Sequence, residues 1–535
     1  MRSNSKIHQV FTEGVYIDLF ETLLIQVIIV VILDKLGHVV GAQFNHEDRP
    51  GCMPGTRVLL LADLLRWATD KKSPHVFWLS GMAGTGKTTA TETFCMILRQ
   101  KNILGTSFFC SNKASDRSNI RNVLPSLAKS LASMNSAFRR ELVKRLEHID
   151  PLGMNIADQY QKLILEPAEL TLNRDKIIVL VIDALDECAY RQAVKLLLDA
   201  ILVSKPRIML KFFVTSRPEP IICNTFAEKN RHSVLYLHDI ESHIVEADIA
   251  LYLKTQLAEI PGLKHHYGNS WPPPEIDVLV SRVGNLFIYA STIYQYIADD
   301  SWDSYDSFQN ICKLEDSGTE SANIDALYTF ILTEAFKGRS KKQILVINAC
   351  ISLLLVACSP LPMSTYSKLL NEPLSVVTKA FGLLHAVIKV PEVNSHDKEV
   401  SIYHASFSDY LIARSQDYQW AVDIIAANNN AANYCFNVLN TELHFGISKM
   451  KTSFKSNIEQ TVIPIPNHLA YACSAWVDHV LLSTESKSVN VDLLKQLDNF
   501  LDHKLLFWLE AQSVSGKIGY CAKMFFDLSK VCRVI

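Results

Sequence analysis

Residues 79–89 read L-S-G-M-A-G-T-G-K-T-T and match the phosphate-binding pattern G-x-x-x-x-G-K-[ST] without a mismatch. Gly81 and Gly86 frame the turn, and Lys87 and Thr88 close it. Glycines at 81, 84 and 86 open backbone conformations denied to other residues, so successive N–H groups can curl around phosphate oxygens. The candidate nucleotide-binding set is therefore Gly81, Met82, Ala83, Gly84, Thr85, Gly86, Lys87, Thr88 and Thr89. Lys87 is placed to reach the β- and γ-phosphates as a point charge, and the Thr88 hydroxyl to ligate Mg²⁺. The flanks agree with this reading. Residues 76–79, V-F-W-L, form a short apolar run expected as a buried strand, and 88–99 reads as a helix whose amino end faces the phosphates.

Working outward, the next elements alternate. Residues 51–57, G-C-M-P-G-T-R, are turn-rich, and 58–70 reads as a helix with Leu61, Leu64, Leu65 and Ala68 on its buried face. Strands are expected at 105–110, 176–182, 208–214 and 233–237, with helical spacing at 119–134, 138–146 and 191–202. The branched aliphatic run at 176–182 is what a strand covered on both faces looks like. Strands alternating with helices predict an α/β P-loop fold, a parallel doubly wound sheet with ligands at the carboxyl ends of its strands.

Beyond residue 240 the strand signals fade. Residues 248–258 and 275–297 are helical by pattern, separated by W-P-P-P at 271–274. A helix pair at 364–370 and 374–384 precedes a short hairpin, 387–390 with 400–404, whose turn is 394–398, and then a helix at 406–414. That order suggests a winged-helix module. The remainder is expected to be largely helical, with no fixed-period repeat. The implied organisation is an N-terminal segment at 1–50, a nucleotide domain at 51–240, a helical domain at 241–335, a winged-helix domain at 336–415 and a helical C-terminal region at 416–535.

Composition narrows the function classes. At 535 residues, 48% apolar and 20% charged, the chain is globular and too long for one core. A net charge of −2 with no basic block gives no reason to expect a nucleic-acid partner. The 12 cysteines show no C-x-x-C pair or metal-ligand spacing, which suits reduced buried thiols and a cytoplasmic location. The apolar run at 22–33 is interrupted by Gln26 and falls short of the roughly 20 residues a bilayer needs, so it reads as a core helix or strand rather than a membrane anchor.

Two further stretches carry chemistry. Residues 177–187, I-I-V-L-V-I-D-A-L-D-E, end an apolar strand in Asp183, where a phosphate-loop protein holds Mg²⁺. Asp186 and Glu187 come next in the turn, and either could take a proton from an attacking water. Residues 211–220, K-F-F-V-T-S-R-P-E-P, deliver Thr215, Ser216 and Arg217 to a strand end, placing a fixed positive charge near a γ-phosphate.

These motifs resemble the NACHT-type nucleoside triphosphatases of the STAND class, and most of all the NACHT and nephrocystin-like proteins of filamentous and mushroom-forming fungi. The resemblance rests on C-M-P-G-T-R at 52–57, residues 75–89, D-A-L-D-E-C at 183–188 and T-S-R-P-E-P at 215–220. It continues through G-N-L-F-I-Y-A-S at 284–291, H-A-S-F-S-D-Y-L at 404–411, H-L-A-Y-A-C-S-A-W at 468–476 and L-L-F-W-L-E at 505–510. It covers about residues 40–515, and its most specific feature is the small Ala184 followed by Asp186 and Glu187.

The resemblance implies a switch driven by ATP or GTP with Mg²⁺, resting with ADP or GDP, and forming homo-oligomers or assemblies with longer relatives on activation. It assigns phosphate and Mg²⁺ to Lys87 and Thr88, metal positioning to Asp183, water orientation to Asp186 or Glu187, a sensor role to Arg217, and contact with the β-phosphate to His404. Two departures stand out. Gly284-Asn285-Leu286 lacks the proline that packs on the base in many relatives, and Asn112 stands where an arginine often follows the second strand's serine. A nucleotide-bound scaffold without turnover and a small-molecule kinase are the competing readings; the second would need an acceptor pocket and a basic lid.

Overall fold

In the computed structural model the described residues are 29, 31–37, 39, 41–44, 51–112, 114–151, 153–229, 232–237, 242–299, 303–316, 318–391, 398–449, 463–483 and 491–532. The chain divides into two compact units, Met1–Asp248 and Ile249–Ile535.

In the first unit the alternating apolar runs become five strands: β1 (Val76–Ser80), β2 (Leu104–Phe109), β3 (Ile178–Asp183), β4 (Leu210–Ser216) and β5 (His232–Tyr236). Their order in the sheet is β2-β3-β4-β1-β5, and every pairing is parallel. All residues of β1 and β4 are buried, whereas β5, at an edge, is only partly so. The two-residue period of a strand divides the core. Trp78 points into a layer containing Leu124, Leu127, Leu197 and Leu198, while Phe77 and Leu79 join Leu64, Trp67, Phe94 and Leu98 on the other face. This is the doubly covered parallel sheet that the sequence predicts.

Six helices bear on the site: α1 (Val58–Thr69), α2 (Lys87–Gln100), α3 (Val123–Met134), α4 (Arg191–Val203), α5 (Pro220–Lys229) and α6 (Ser242–Ala258), the last running on into the second unit. The buried stripe of α1 is a correction to the expected one. It consists of Leu60, Leu64, Trp67 and Ala68, with Leu61 and Leu65 partly exposed. Trp67 sets this rotation, because its ring packs 5.2 Å from that of Phe77 and 6.4 Å from that of Phe213, and an indole buries more apolar area than either leucine. Lys211 caps the same helix: its Nζ donates to the carbonyls of Trp67 and Asp70 at 2.7 and 2.6 Å and to Ser73 Oγ at 2.6 Å.

Of the apolar run at 22–33, residues 29 and 31–33 are described and are helical, and Leu33 and Leu36 join the sheet's core; residues 22–28 and 30 lie outside the described residues. No helix among the described residues is long and apolar enough to cross a membrane, and the 11 cysteines whose side chains are described are free.

The second unit is mostly helical. The single helix expected over 275–297 is two, Glu275–Val283 and Phe287–Ile297. Gly284 breaks it with φ of 58°, and a Cβ there would lie 2.5 Å from Glu320 Oε1. The apolar period runs through the break, which is why pattern alone does not show it. Further on, α7 (Lys341–Val356) precedes β6 (Leu361–Pro362), α8 (Met363–Leu370), α9 (Leu374–Gly382), β7 (Ile388–Lys389), β8 (Glu399–Ile402) and α10 (Ala405–Asp409). The three short strands pair antiparallel in the order β6-β8-β7. Residues 394–397 of the expected hairpin turn at 394–398 lie outside the described residues. The helix expected at 406–414 is α10 followed by a wider π-helical turn, Tyr410–Arg414. The C-terminal stretch is helical at Ile424–Glu442, Asn467–Ser483, Val491–His503, Leu505–Val514 and Ile518–Cys532.

Candidate nucleotide site

The loop between β1 and α2 is shaped by its glycines. Gly84 and Gly86 sit at φ of 80° and 82°, in the left-handed region that costs other residues strain. Gly81 is required for space: a Cβ there would stand 2.9 Å from Thr85 Oγ1 and 3.0 Å from Leu237 Cδ1. Thr85 Oγ1 donates to the Met82 carbonyl at 2.9 Å and braces the turn. Lys87 opens α2, and its Nζ donates to the Gly81 and Met82 carbonyls at 2.6 and 2.9 Å. The loop thus holds its lysine over its own backbone, where a phosphate can take the place of the carbonyls.

The order of the sheet builds the acidic centre. Because β4 lies between β1 and β3, Thr215 from β4 reaches Asp183 at the end of β3. Asp183 is 1% exposed. Its Oδ1 accepts from Thr215 Oγ1 at 2.6 Å and from Thr91 Oγ1 at 2.9 Å, and its Oδ2 accepts from Thr88 Oγ1 at 2.8 Å. Thr215 Oγ1 in turn accepts from the Ala184 N–H at 2.9 Å. Sequence reading placed Thr88, Asp183 and Thr215 at this end of the sheet but missed Thr91. The signal was available, since T-x-x-T at 88–91 puts both hydroxyls on one face of a helix.

Ala184 bends the chain immediately after Asp183, with φ of 55° and ψ of 48°, and presents a short turn, Leu185–Glu187. The turn's two carboxylates go to different partners. Asp186 accepts from the Arg217 N–H at 3.0 Å through Oδ1 and from Arg217 Nε at 3.2 Å through Oδ2. Glu187 turns toward β2, where its Oε2 accepts from the Asn112 N–H at 3.1 Å. Burial raises the Glu187 pKa above its ordinary value; the Asn112 N–H opposes that shift, and the Asp186 and Asp183 charges add to it. Next to this turn the thiols of Cys110 and Cys188 lie 3.5 Å apart.

Lys87 responds in the opposite direction. Burial pushes its ammonium down to about 8, against the charges of Asp186 and Asp183, which hold it up. A bound polyphosphate favours the charged form, so nucleotide should bind best below the pKa of about 8 and weaken as pH rises through it. Titration calorimetry from pH 7 to 9 should show the dissociation constant rising above pH 8, toward about tenfold per unit at most. Lys87→Ala should bind weakly with no such rise, and an identical slope in that variant would remove Lys87 from the explanation.

His404 belongs to the second unit, where it caps α10. Its Nδ1 accepts from the Ser406 N–H at 3.1 Å and also lies 2.8 Å from Ser406 Oγ. Accepting at Nδ1 leaves the ring proton on Nε2, so the far side of the ring is a donor. Ser406 Oγ is held in turn by Tyr328 Oη at 2.8 Å. A separate cleft of about 440 Å³, lined by Lys71, His75, Lys205 and Arg207, opens beside the first residues of β1 and β4, at the opposite strand ends from the acidic centre.

The class defined by this loop, sheet and acidic centre is the P-loop nucleoside triphosphatase fold, and comparison with known proteins narrows it. The family model described as "Nephrocystin 3, N-terminal" matches residues 55–217, which span the loop, Asp183 and Arg217. No curated protein matches the chain.

Among solved structures, a Signal Transduction ATPase with Numerous Domains protein with a tetratricopeptide repeat sensor, from Pyrococcus horikoshii, matches at 12% identity with a TM-score of 0.42. The match covers 88% of this chain but only 57% of that one. Cdc6p from Pyrobaculum aerophilum matches at 12% identity and a TM-score of 0.31, over 69% of this chain and 96% of that one. The ORC1 protein of Aeropyrum pernix, solved in complex with DNA, matches at 12% identity and 0.29, over 72% and 94%.

Proposed function

We propose that this chain is a nucleotide-operated switch of the STAND class, with a NACHT-type nucleotide domain, that binds ATP or GTP with Mg²⁺ and hydrolyses it slowly. The observation that carries this reading is the convergence of Thr88, Thr91 and Thr215 on Asp183 beside the phosphate loop. A hydroxyl and a carboxylate are hard oxygen donors of the kind Mg²⁺ selects, so Thr88 and Asp183 fit the ion; it would neutralise phosphate charge there. Lys87 exchanges its loop carbonyls for phosphate oxygens. Arg217, held at backbone and side chain by Asp186, carries a fixed charge toward the γ-phosphate. Glu187 is then the carboxylate left to take a proton from water, and its raised pKa makes it a stronger base.

The remaining chain fits the same reading. Residues 336–415 act as a winged-helix domain, and the family resemblance assigns its His404 to the β-phosphate of resting ADP or GDP. Residues 241–335 and 416–535 are its helical neighbours, and 1–50 a leading segment. Activation exchanges the nucleotide and drives homo-oligomerisation or co-assembly with longer relatives in the cytoplasm. The direct test is to purify the protein without added nucleotide, denature it and identify the released small molecule by chromatography. Near-stoichiometric ADP or GDP, absent from Lys87→Ala, is the expected result and names the base. A folded protein that releases nothing and shows no nucleotide binding by calorimetry would overturn the switch.

A further inference from the structure

The turn-rich stretch 51–57 contributes nothing to the acidic centre, yet it is seated tightly against the elements that form it. Gly51 lies so close to α2 that a Cβ would meet Thr93 Oγ1 at 2.6 Å, and the Cys52 N–H donates to that same Oγ1 at 2.7 Å. Thr56 closes a turn onto the Met53 carbonyl, with its Oγ1 at 2.8 Å and its N–H at 3.0 Å. The chain then enters Arg57 at φ of 56° and ψ of 23°, a left-handed conformation unfavourable for arginine. Its side chain is buried, being 5% exposed.

In that conformation Arg57 makes contacts on two sides. Arg57 Nη2 donates to the Thr85 carbonyl in the phosphate loop at 2.8 Å, and the Arg57 N–H donates to Asp248 Oδ2 at 3.0 Å. Asp248 lies in α6 and is the last residue of the first unit. Burial lowers the guanidinium's pKa, and the Asp248 carboxylate opposes that shift.

The Thr85 carbonyl and the Gly86 N–H belong to one trans peptide and point in opposite directions. A donor holding the carbonyl therefore aims the Gly86 N–H away from Arg57. A phosphate accepting from that N–H polarises the peptide and makes the Thr85 carbonyl a better acceptor. Phosphate binding and the Arg57 bond thus reinforce each other.

We propose that Arg57 is a positioning residue that joins the Thr85–Gly86 peptide of the phosphate loop to Asp248, so that occupancy of the loop is passed into α6. The inference rests on the nucleotide reading above. It makes residues 51–57 the part of the first unit that reports nucleotide state.

Hydrogen–deuterium exchange on the full chain, with and without Mg²⁺ and the triphosphate, tests it in wild type, Arg57→Met and Asp248→Ala. Methionine keeps the length of the stem and removes the donors. In wild type, nucleotide should slow exchange both in residues 81–87 and across α6, the latter by about threefold or more. In Asp248→Ala the loop should still be protected while the α6 response is lost. In Arg57→Met the α6 response should also be lost and nucleotide should bind about tenfold more weakly, with Arg57→Lys recovering part of both. Should Arg57→Met lack a cooperative melt, Asp248→Ala alone decides. Protection of the loop with no change in α6 of wild type, or an α6 response that survives in Asp248→Ala, overturns this inference and leaves the nucleotide reading intact. No protection of the loop in wild type overturns both.

Discussion

Glu187→Gln is expected to lower phosphate release by about 10²–10⁴-fold while nucleotide affinity stays within a few fold. The amide keeps an oxygen to accept from the Asn112 N–H and fills the same space, but it cannot take a proton. Asp186→Asn should behave differently. Asp186 holds Arg217 by backbone and side chain, so its loss acts through the position of a cation, and weaker binding should accompany slower turnover. The pH profile separates the two roles. Because burial raises the Glu187 pKa, the group is an active base above that raised value and is lost as pH falls through it. Wild type and Asp186→Asn should show this acid limb and Glu187→Gln should not. Steady-state phosphate release unchanged in both variants would sink the hydrolytic assignment and leave a nucleotide-bound scaffold.

Asp183→Asn should damage both the fold and the site. The carboxylate accepts from three hydroxyls while buried at 1% exposure. An amide offers one oxygen and turns two N–H donors toward Thr88, Thr91 and Thr215. The three hydroxyls now donate to the carboxylate, so at least one of them must turn away and lose its acceptor. Loss of hydrogen bonds to a buried charge of this kind costs about 1.5–3 kcal/mol, or a fall in melting temperature of about 5 °C for a unit of this size. The variant should also lose the Mg²⁺-dependent part of nucleotide affinity. Thermal melts with and without Mg²⁺–nucleotide check both effects. A variant that melts as wild type and still gains stability from Mg²⁺ would show that Asp183 neither organises the hydroxyls nor positions the ion.

The legible parts of the site are those encoded by neighbouring residues. The glycine spacing in 81–86 fixes a turn, Lys87 and Thr88 come directly after it, and the apolar run before Asp183 makes a buried strand whatever else the chain does. The partition of Asp186 and Glu187 was not legible, because their partners come from elsewhere: Arg217 lies a strand away and Asn112 stands just beyond β2. Thr91 looked like any polar residue in a helix until Asp183 was placed beside it. The face of α1 was legible in Leu64 and Ala68 but not in Trp67, whose burial depends on Phe77 and Phe213 being in reach.

By itself, then, the sequence determined the phosphate loop, the doubly covered strands, the terminal carboxylate of β3 and the change to helices after residue 240. Each of these comes from side-chain period and backbone freedom over a few consecutive residues. Only the tertiary structure decided that β4 lies between β1 and β3, that three threonines share Asp183, that Gly284 breaks a helix against Glu320, and that Arg57 ties the loop to α6. Those features depend on packing between segments far apart in the chain, where burial favours arrangements that pair polar groups and thereby selects which residues meet.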